Sequence, residues 1–129
     1  MTHNEPINPG WPRYERYTFS PAVRRGNLLF ISGLTAVDDE GNLVGAGDIV
    51  AQTRYIYRRM GEILAAAGAG FADVVKTTDY ITTVENYRAT ADVRREVFGD
   101  RFPAATGVIV AGLLRPGALI EIDAIAVVP

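Results

Sequence analysis

Glu121 and Asp123 are the residues of this 129-residue chain whose type and spacing point most directly to chemistry. They stand two positions apart in Leu119–Val128, a run that is otherwise apolar. Side chains alternate along a strand. Leu119, Glu121, Asp123, Ile125 and Val127 would therefore share one face, and Ile120, Ile122, Ala124, Ala126 and Val128 the other. The two carboxylates would lie roughly 6.5–7 Å apart on a surface that reads as core. A carboxylate in such a place must be paired, hydrogen-bonded or partly protonated. A partly protonated one serves as a general acid, or as a base on water, near neutral pH. Glu121 is the candidate catalytic residue.

Other chemistries are closed off by composition. There is no cysteine, which excludes disulfides, thiolate nucleophiles and cysteine metal sites, and His3 is the sole histidine. A Ser-His-Asp triad and a histidine metal site are not expected, nor is any metal or cofactor. The net charge of −2 argues against a nucleic-acid partner held by a basic face. Lys76 is the only lysine among thirteen basic residues. Arginine is the better bidentate partner for a carboxylate or phosphate, though the bias can equally reflect genome composition. No signal peptide or membrane span stands out, so a cytoplasmic protein with no membrane partner is expected.

The elements that must position Glu121 can be read from periodicity. Residues 1–12 read as an irregular arm, with Trp11 packing onto the domain or a neighbouring subunit, and residues 13–129 as a single domain. Arg13–Val23 reads as a short edge strand broken at Ser20-Pro21, and Arg24-Arg25-Gly26-Asn27 as a turn. Leu28–Ala36 is a strong strand with Ser32-Gly33 in its middle. A glycine there marks a bulge or a close approach to a ligand. Asp48 is a predicted helix N-cap. Ile49, Thr53, Ile56, Met60, Ile63 and Ala67 follow at spacings of four, three, four, three and four. That is one helical face, with Gln52, Arg54, Arg58, Arg59 and Glu62 on the wet side and Gly68 as a stop. Ala72–Thr82 reads as a strand. Thr82–Glu85 has the spacing of a capping box opening a second helix that ends at Gly99. Thr106–Leu113 and Leu119–Val128 then form a strand–turn–strand pattern around Pro116-Gly117.

The result is an α+β domain of order β-β-α-β-α-β-β, a mixed sheet with two helices on one face. Leu28–Ala36 and Leu119–Val128 are apolar on both faces, and the chain has nothing left to cover the second one. A homo-oligomer packing sheet on sheet, with pockets between subunits, is the economical expectation.

Several stretches together resemble the RidA/YjgF family of reactive-intermediate deaminases, over roughly residues 17–128. They are Phe19-Ser20-Pro21-Ala22-Val23, Leu29-Phe30-Ile31-Ser32-Gly33, Ile63-Leu64-Ala65-Ala66-Ala67-Gly68, Asp73-Val74-Val75-Lys76-Thr77-Thr78, Phe98-Gly99 with Phe102-Pro103-Ala104, and Ile120-Glu121-Ile122-Asp123-Ala124. The resemblance implies a chorismate-mutase-like fold and a homotrimer around a barrel of packed sheets. It also implies intersubunit clefts that hydrolyse enamines and imines to ketoacids and ammonia. The family's positions transfer unevenly. Glu121, Ser32 and Gly33 are retained. The arginine that holds the substrate carboxylate is Ala105 here, the usual tyrosine is Phe19, the usual glutamine Leu34, and an asparagine Glu85. Thr106 and backbone near Gly107 would orient substrate. A last turn one residue longer than usual brings in Arg115, a substitute cation or an exposed turn residue. Arg88 and Arg101 are the other arginines weighed for the vacated place.

Two functions compete on this reading. One is a hydrolase acting on a small imine, enamine or related carbonyl compound. The other is a non-catalytic module that binds a small metabolite or assists a partner enzyme, favoured by Ala105. A ribonuclease is the weakest reading, given the acidic charge and the lone histidine.

Overall fold

The computed structural model describes residues 3–129. Its elements, in chain order, are β1 (Glu5–Ile7), β2 (Ala22–Arg25), β3 (Leu28–Leu34), α1 (Ile49–Ala66), β4 (Val74–Ile81), α2 (Ala91–Phe98), β5 (Ala104–Ile109) and β6 (Ile120–Val127). Short 3-10 turns stand at Pro12–Arg16, Phe71–Asp73 and Tyr87–Thr90. The strands make one sheet in the order β1-β2-β3-β6-β4-β5. Among the described residues only the β4–β5 pair is parallel.

The helical periodicity builds the core as expected. Asp48 caps α1, its carboxylate accepting from the Ala51 amide at 3.0 Å, and Gly68 takes a left-handed φ of +75° just past the end. Ile49, Thr53, Ile56, Met60, Ile63 and Ala67 are all buried. They pack on the sheet face that carries Leu29, Ile31, Ile120, Ile122, Ala124 and Ala126. Each large side chain among them contributes about 1.5–3 kcal/mol of transfer free energy. Both helices cover this face, so the α+β expectation stands.

Four local readings change. The segment taken as an irregular arm holds β1, which pairs with β2, although Trp11 packs onto the domain as expected, its indole N–H donating to Glu62 of α1 at 3.1 Å. The predicted edge strand over Arg13–Val23 is instead a 3-10 turn followed by β2, which runs into the expected turn as far as Arg25. The capping box at Thr82–Glu85 does not form. The Thr83 hydroxyl accepts from the Glu85 amide two residues on, and such a local turn competes with a helix cap. The chain then reverses at Asn86 (φ +60°) and turns once before α2 begins. Finally, the two strands around Pro116-Gly117 are not neighbours. β5 is the sheet edge, and β4 lies between it and β6.

Gln52, expected on the wet side, is fully buried. Its amide nitrogen donates to the Gly45 and Gly117 carbonyls, each at 3.1 Å, and its oxygen accepts from the Leu119 amide at 2.8 Å. One side chain thus fixes the start of α1 to the base of the β5–β6 connection. Gln52→Leu leaves these buried backbone groups without partners. It is expected to cost about 2–4 kcal/mol, read as a lowered urea midpoint at unchanged slope.

Candidate active site

The alternation in β6 holds. Ile120, Ile122, Ala124 and Ala126 are buried under the helices, while Glu121 and Asp123 stand half-buried on the opposite face. Opposite them, β3 carries the irregularity read from Ser32-Gly33. Ile31 pairs with Ala124 and Leu34 with Ile122, so three steps along β3 match two along β6. This is a β-bulge. It brings the bare backbone of Gly33 against Glu121. A Cβ built on Gly33 would lie 2.9 Å from the Glu121 carboxyl carbon and closer still to Oε2. No side chain fits there without moving the acid.

Ser32 has a different task from its neighbour. Its hydroxyl donates to the Ser20 carbonyl at 2.6 Å, and its amide donates to the Pro21 carbonyl at 2.9 Å. The bulge is thereby tied to the Ser20-Pro21 corner, which delivers Phe19. Phe19 stacks on Tyr17 (centroids 5.3 Å, 11° between planes), and Tyr14 meets both rings edge-on. Trp11 continues this aromatic wall, with the Arg59 guanidinium 4.1 Å above its ring.

These pieces enclose a cavity of about 250 Å³ lined by Glu121, Gly33, Leu34, Phe19 and Arg115, together with the aromatic wall and Arg13, Arg59, Asp38 and Asp39. Arg115 reaches it from the loop between β5 and β6 and is half-buried. It is not a free turn residue. Its Nη2 donates to the Tyr17 hydroxyl at 2.7 Å. Arg88 and Arg101 are exposed and do not line the cavity, and neither does Glu85.

Burial pushes the Glu121 carboxyl above its ordinary value, and the Asp123 carboxylate adds to the rise. Asp123 itself accepts from the Tyr80 hydroxyl at 2.9 Å. That bond is the first cause raising the Tyr80 phenol, ahead of desolvation. One carboxyl of the pair is thus hydrogen-bonded, and the other is held toward its protonated form.

Ala105, Thr106 and Gly107 do not join this site within one chain. They lie on β5, on the far side of β4. The Thr106 hydroxyl accepts from Lys76 at 2.7 Å, and a Cβ on Gly107 would come 3.3 Å from the Tyr87 hydroxyl. Tyr87 donates to Asp79 at 2.6 Å, and burial followed by that bond pushes its phenol up to about 12. Five of the expected site residues therefore meet in one cavity, and three form a separate exposed edge. Sequence reasoning missed Tyr14, Tyr17 and Arg13. The aromatic spacing over 11–19 was the available signal, and it was read as an edge strand.

The chain is similar to known proteins in sequence and fold. The sequence model of the family described as Endoribonuclease L-PSP matches residues 14–128. The 3-aminoacrylate deaminase RutC of Acinetobacter baylyi is 34% identical, covering 84% of this chain and 85% of its own. The human 2-iminobutanoate/2-iminopropanoate deaminase is 32% identical, covering 84% of this chain and 79% of its own. A solved Mycobacterium tuberculosis member of the YjgF/YER057c/UK114 family is 36% identical, with a TM-score of 0.81, and covers 98% of this chain and all of its own.

The raised Glu121 carboxyl carries a stability prediction. Its folded pKa lies above the unfolded value, so the fold takes up a proton on acidification through that window. The ionised form is the less stable one in the folded state, and the penalty grows as pH rises toward the folded pKa. Glu121→Gln is expected to raise the unfolding midpoint at pH 7 and to lose that advantage below the ordinary carboxylate pKa. Denaturant titrations at both pH values check it.

Proposed function

The chain belongs to the RidA/YjgF family, and from that premise we propose that it hydrolyses a small imine or enamine to a carbonyl compound and ammonia. Relatives named as deaminases of such compounds support the general kind. The observation that carries the reading here is the Glu121 carboxyl, half-buried and raised in pKa, lying against the bare Gly33 backbone at the wall of a cavity.

In the proposed reaction the Glu121 carboxylate takes a proton from water as the water oxygen bonds to the imine carbon. The C=N electron pair moves to nitrogen, which takes that same proton from the Glu121 carboxyl. The carbinolamine hydroxyl then gives its proton to the Glu121 carboxylate, which passes it to the amine nitrogen as the C–N bond breaks, so that C=O forms and ammonia leaves. An enamine first gains a proton at carbon, and the protonated acid can supply it. A carboxyl held above its ordinary value by burial, as Glu121 is, suits a group that both takes and returns a proton.

The working unit in this reading is a homotrimer. The sheet face opposite the helices exposes Leu28, Phe30, Val75, Val108 and Val127, with Phe30 46% accessible. Among the described residues no helix is long and apolar enough to cross a membrane. We take this apolar face to be covered by further copies, with β5 of one subunit and its Ala105, Thr106 and Gly107 closing over the Glu121 cavity of the next. Ala105 supports a second reading, a non-catalytic binding protein, because a methyl group cannot hold a substrate anion. RNA cleavage is not supported by a net charge of −2 and one exposed histidine.

Imines generated in situ by an amino-acid oxidase test the reaction through ammonia release. Glu121→Gln is expected to lose about 10²–10⁴ in kcat, and Gly33→Ala at least about tenfold as its methyl displaces the acid. Turnover by Glu121→Gln equal to wild type would exclude the mechanism. Stabilisation by a ligand with no product in any case would favour the binding protein. Sedimentation checks the assembly: wild type is expected to run as a trimer and Phe30→Asp as a single subunit. A wild-type protein that sediments as one subunit overturns the cleft.

A further inference from the structure

The sheet donor that stands opposite Glu121 is the Tyr80 hydroxyl, and it is not spent on Glu121. Tyr80 pairs directly with Glu121 across the β4–β6 ladder, and Thr78 pairs with Asp123. The Tyr80 hydroxyl nevertheless reaches diagonally and donates to Asp123 Oδ2 at 2.9 Å. A phenol carries one proton, so one acid of the pair takes it and the other goes without. The other flanking strand, β3, supplies no replacement. Its bulge sets the bare backbone of Gly33 against Glu121, and its one hydroxyl, on Ser32, is committed to the Ser20 carbonyl at 2.6 Å. Neither acid takes part in the ion pairs formed among the described residues.

Two carboxyls roughly 6.5–7 Å apart on one strand face oppose each other's ionisation. Both are half-buried, which strengthens the opposition. Such a pair settles with one charge and one proton wherever a neighbour favours one of the ionised forms. Tyr80 is that neighbour, because a donated O–H bond favours a carboxylate acceptor. The charge then rests on Asp123 and the proton on Glu121, the member that lines the cavity. The direction agrees with the Glu121 carboxyl, which burial first and Asp123 second push above its ordinary value. The remaining charged groups are engaged elsewhere. On β4, Lys76 donates to the Thr106 hydroxyl and the Thr77 carbonyl, while β3 and β5 carry no titratable side chain. Across the cavity, Arg13 and Arg115 both donate to the Tyr17 hydroxyl, and Arg59 pairs with Asp39 and Glu62. Asp38 accepts from the Glu40 and Asn42 amides, and the Tyr14 phenol is raised mainly by its own burial.

We propose that Tyr80 and Asp123 are positioning residues for Glu121: the phenol fixes the charge of the acid pair on Asp123, and that charge sets the pH at which Glu121 releases and takes back its proton. Neither residue lines the cavity, so both act through Glu121. For turnover the inference rests on the hydrolase reading; for the titration of Glu121 it does not. In that reading the acid takes a proton from water and returns it to nitrogen. A residue that moves its proton equilibrium therefore moves the pH dependence of the reaction.

Carbon-13 NMR of the intact protein, labelled at its glutamate side-chain carboxyls, reads the titration directly, the Glu121 signal being the one missing from Glu121→Gln. Asp123→Asn removes the like charge and is expected to move the Glu121 titration to lower pH, while burial still holds it above that of an exposed glutamate. Asp123→Glu keeps a charge and is expected to stay close to wild type. Tyr80→Phe leaves the charge free to move between the two acids, and Glu121 is expected to titrate in two steps instead of one. It is also the second variant should Asp123→Asn sediment or unfold abnormally. Ammonia release from imines, followed across pH, should show the limb that needs the carboxylate moving with the NMR midpoint. A merely structural loss lowers turnover at every pH and moves neither midpoint. A Glu121 titration that is unmoved or raised in Asp123→Asn, or unchanged in Tyr80→Phe, overturns the couple. A limb that stays put while the carboxyl moves overturns the part of the couple in turnover. A carboxyl that moves as expected, in a protein that turns over no imine, upholds the couple and removes the hydrolase.

Discussion

The contact between the Glu121 carboxyl and the backbone of Gly33 constrains everything around the cavity. An acid on an apolar strand face needs room that no side chain occupies, and the room comes from a glycine at a bulge. The bulge in turn disturbs the β3–β6 ladder, and the loss is offset by the Ser32 bonds to Ser20 and Pro21. Those same bonds fix the corner that carries Phe19, and through Phe19 the stacked ring of Tyr17 and the edge-on ring of Tyr14. The position of the acid, the strand irregularity and the aromatic wall are therefore one arrangement rather than three.

The electrostatics follow from where that arrangement sits. Glu121 and Asp123 project from adjacent same-face positions of β6, and two carboxylates so close oppose each other's ionisation. The pair is resolved asymmetrically. Asp123 gains the Tyr80 hydroxyl, while Glu121 has no hydrogen-bond partner among the described residues and is shifted upward by burial first and by Asp123 second. Tyr80 pairs with Glu121 across the β4–β6 ladder and Thr78 with Asp123, so the Tyr80 bond runs diagonally. Sheet register thus decides which of two similar acids is held toward protonation.

Much of this could be read from the chain, and the limits have physical causes. The period of two over Leu119–Val128 placed Glu121 and Asp123 on one shared face, opposite Ile120 and Ile122, because alternation is a local property of any strand. The period of α1 and its Asp48 cap were legible for the same reason. Gln52 was misjudged because polarity alone does not reveal three buried backbone partners contributed by Gly45, Gly117 and Leu119. The segment Trp11–Phe19 was misjudged because its rings pack on one another and on α1, with no strand period to announce it. The partner of β5 was also illegible. Propensity marks a strand but does not say which strand lies beside it, and a turn signal such as Pro116-Gly117 invites a hairpin that the sheet does not contain.

That last misreading has the widest consequence. With β4 between β5 and β6, no tight hairpin can join them, and the connection must pass across the end of β4. The sheet shows the crossing: the Val110 amide donates to the Ile81 carbonyl at 2.8 Å, and the Thr82 amide donates to the Leu119 carbonyl at 3.2 Å. Both ends of the connection are thereby fixed to the C-terminal end of β4. Its middle is long enough to turn at Gly117, φ +83°, and to carry Arg115 back to Tyr17. The same insertion of β4 moves Ala105 out of reach of Glu121 within a chain. One topological fact therefore separates the acid from the edge where the resemblance would look for an arginine, while a different arginine, Arg115, lines the cavity that the acid lines.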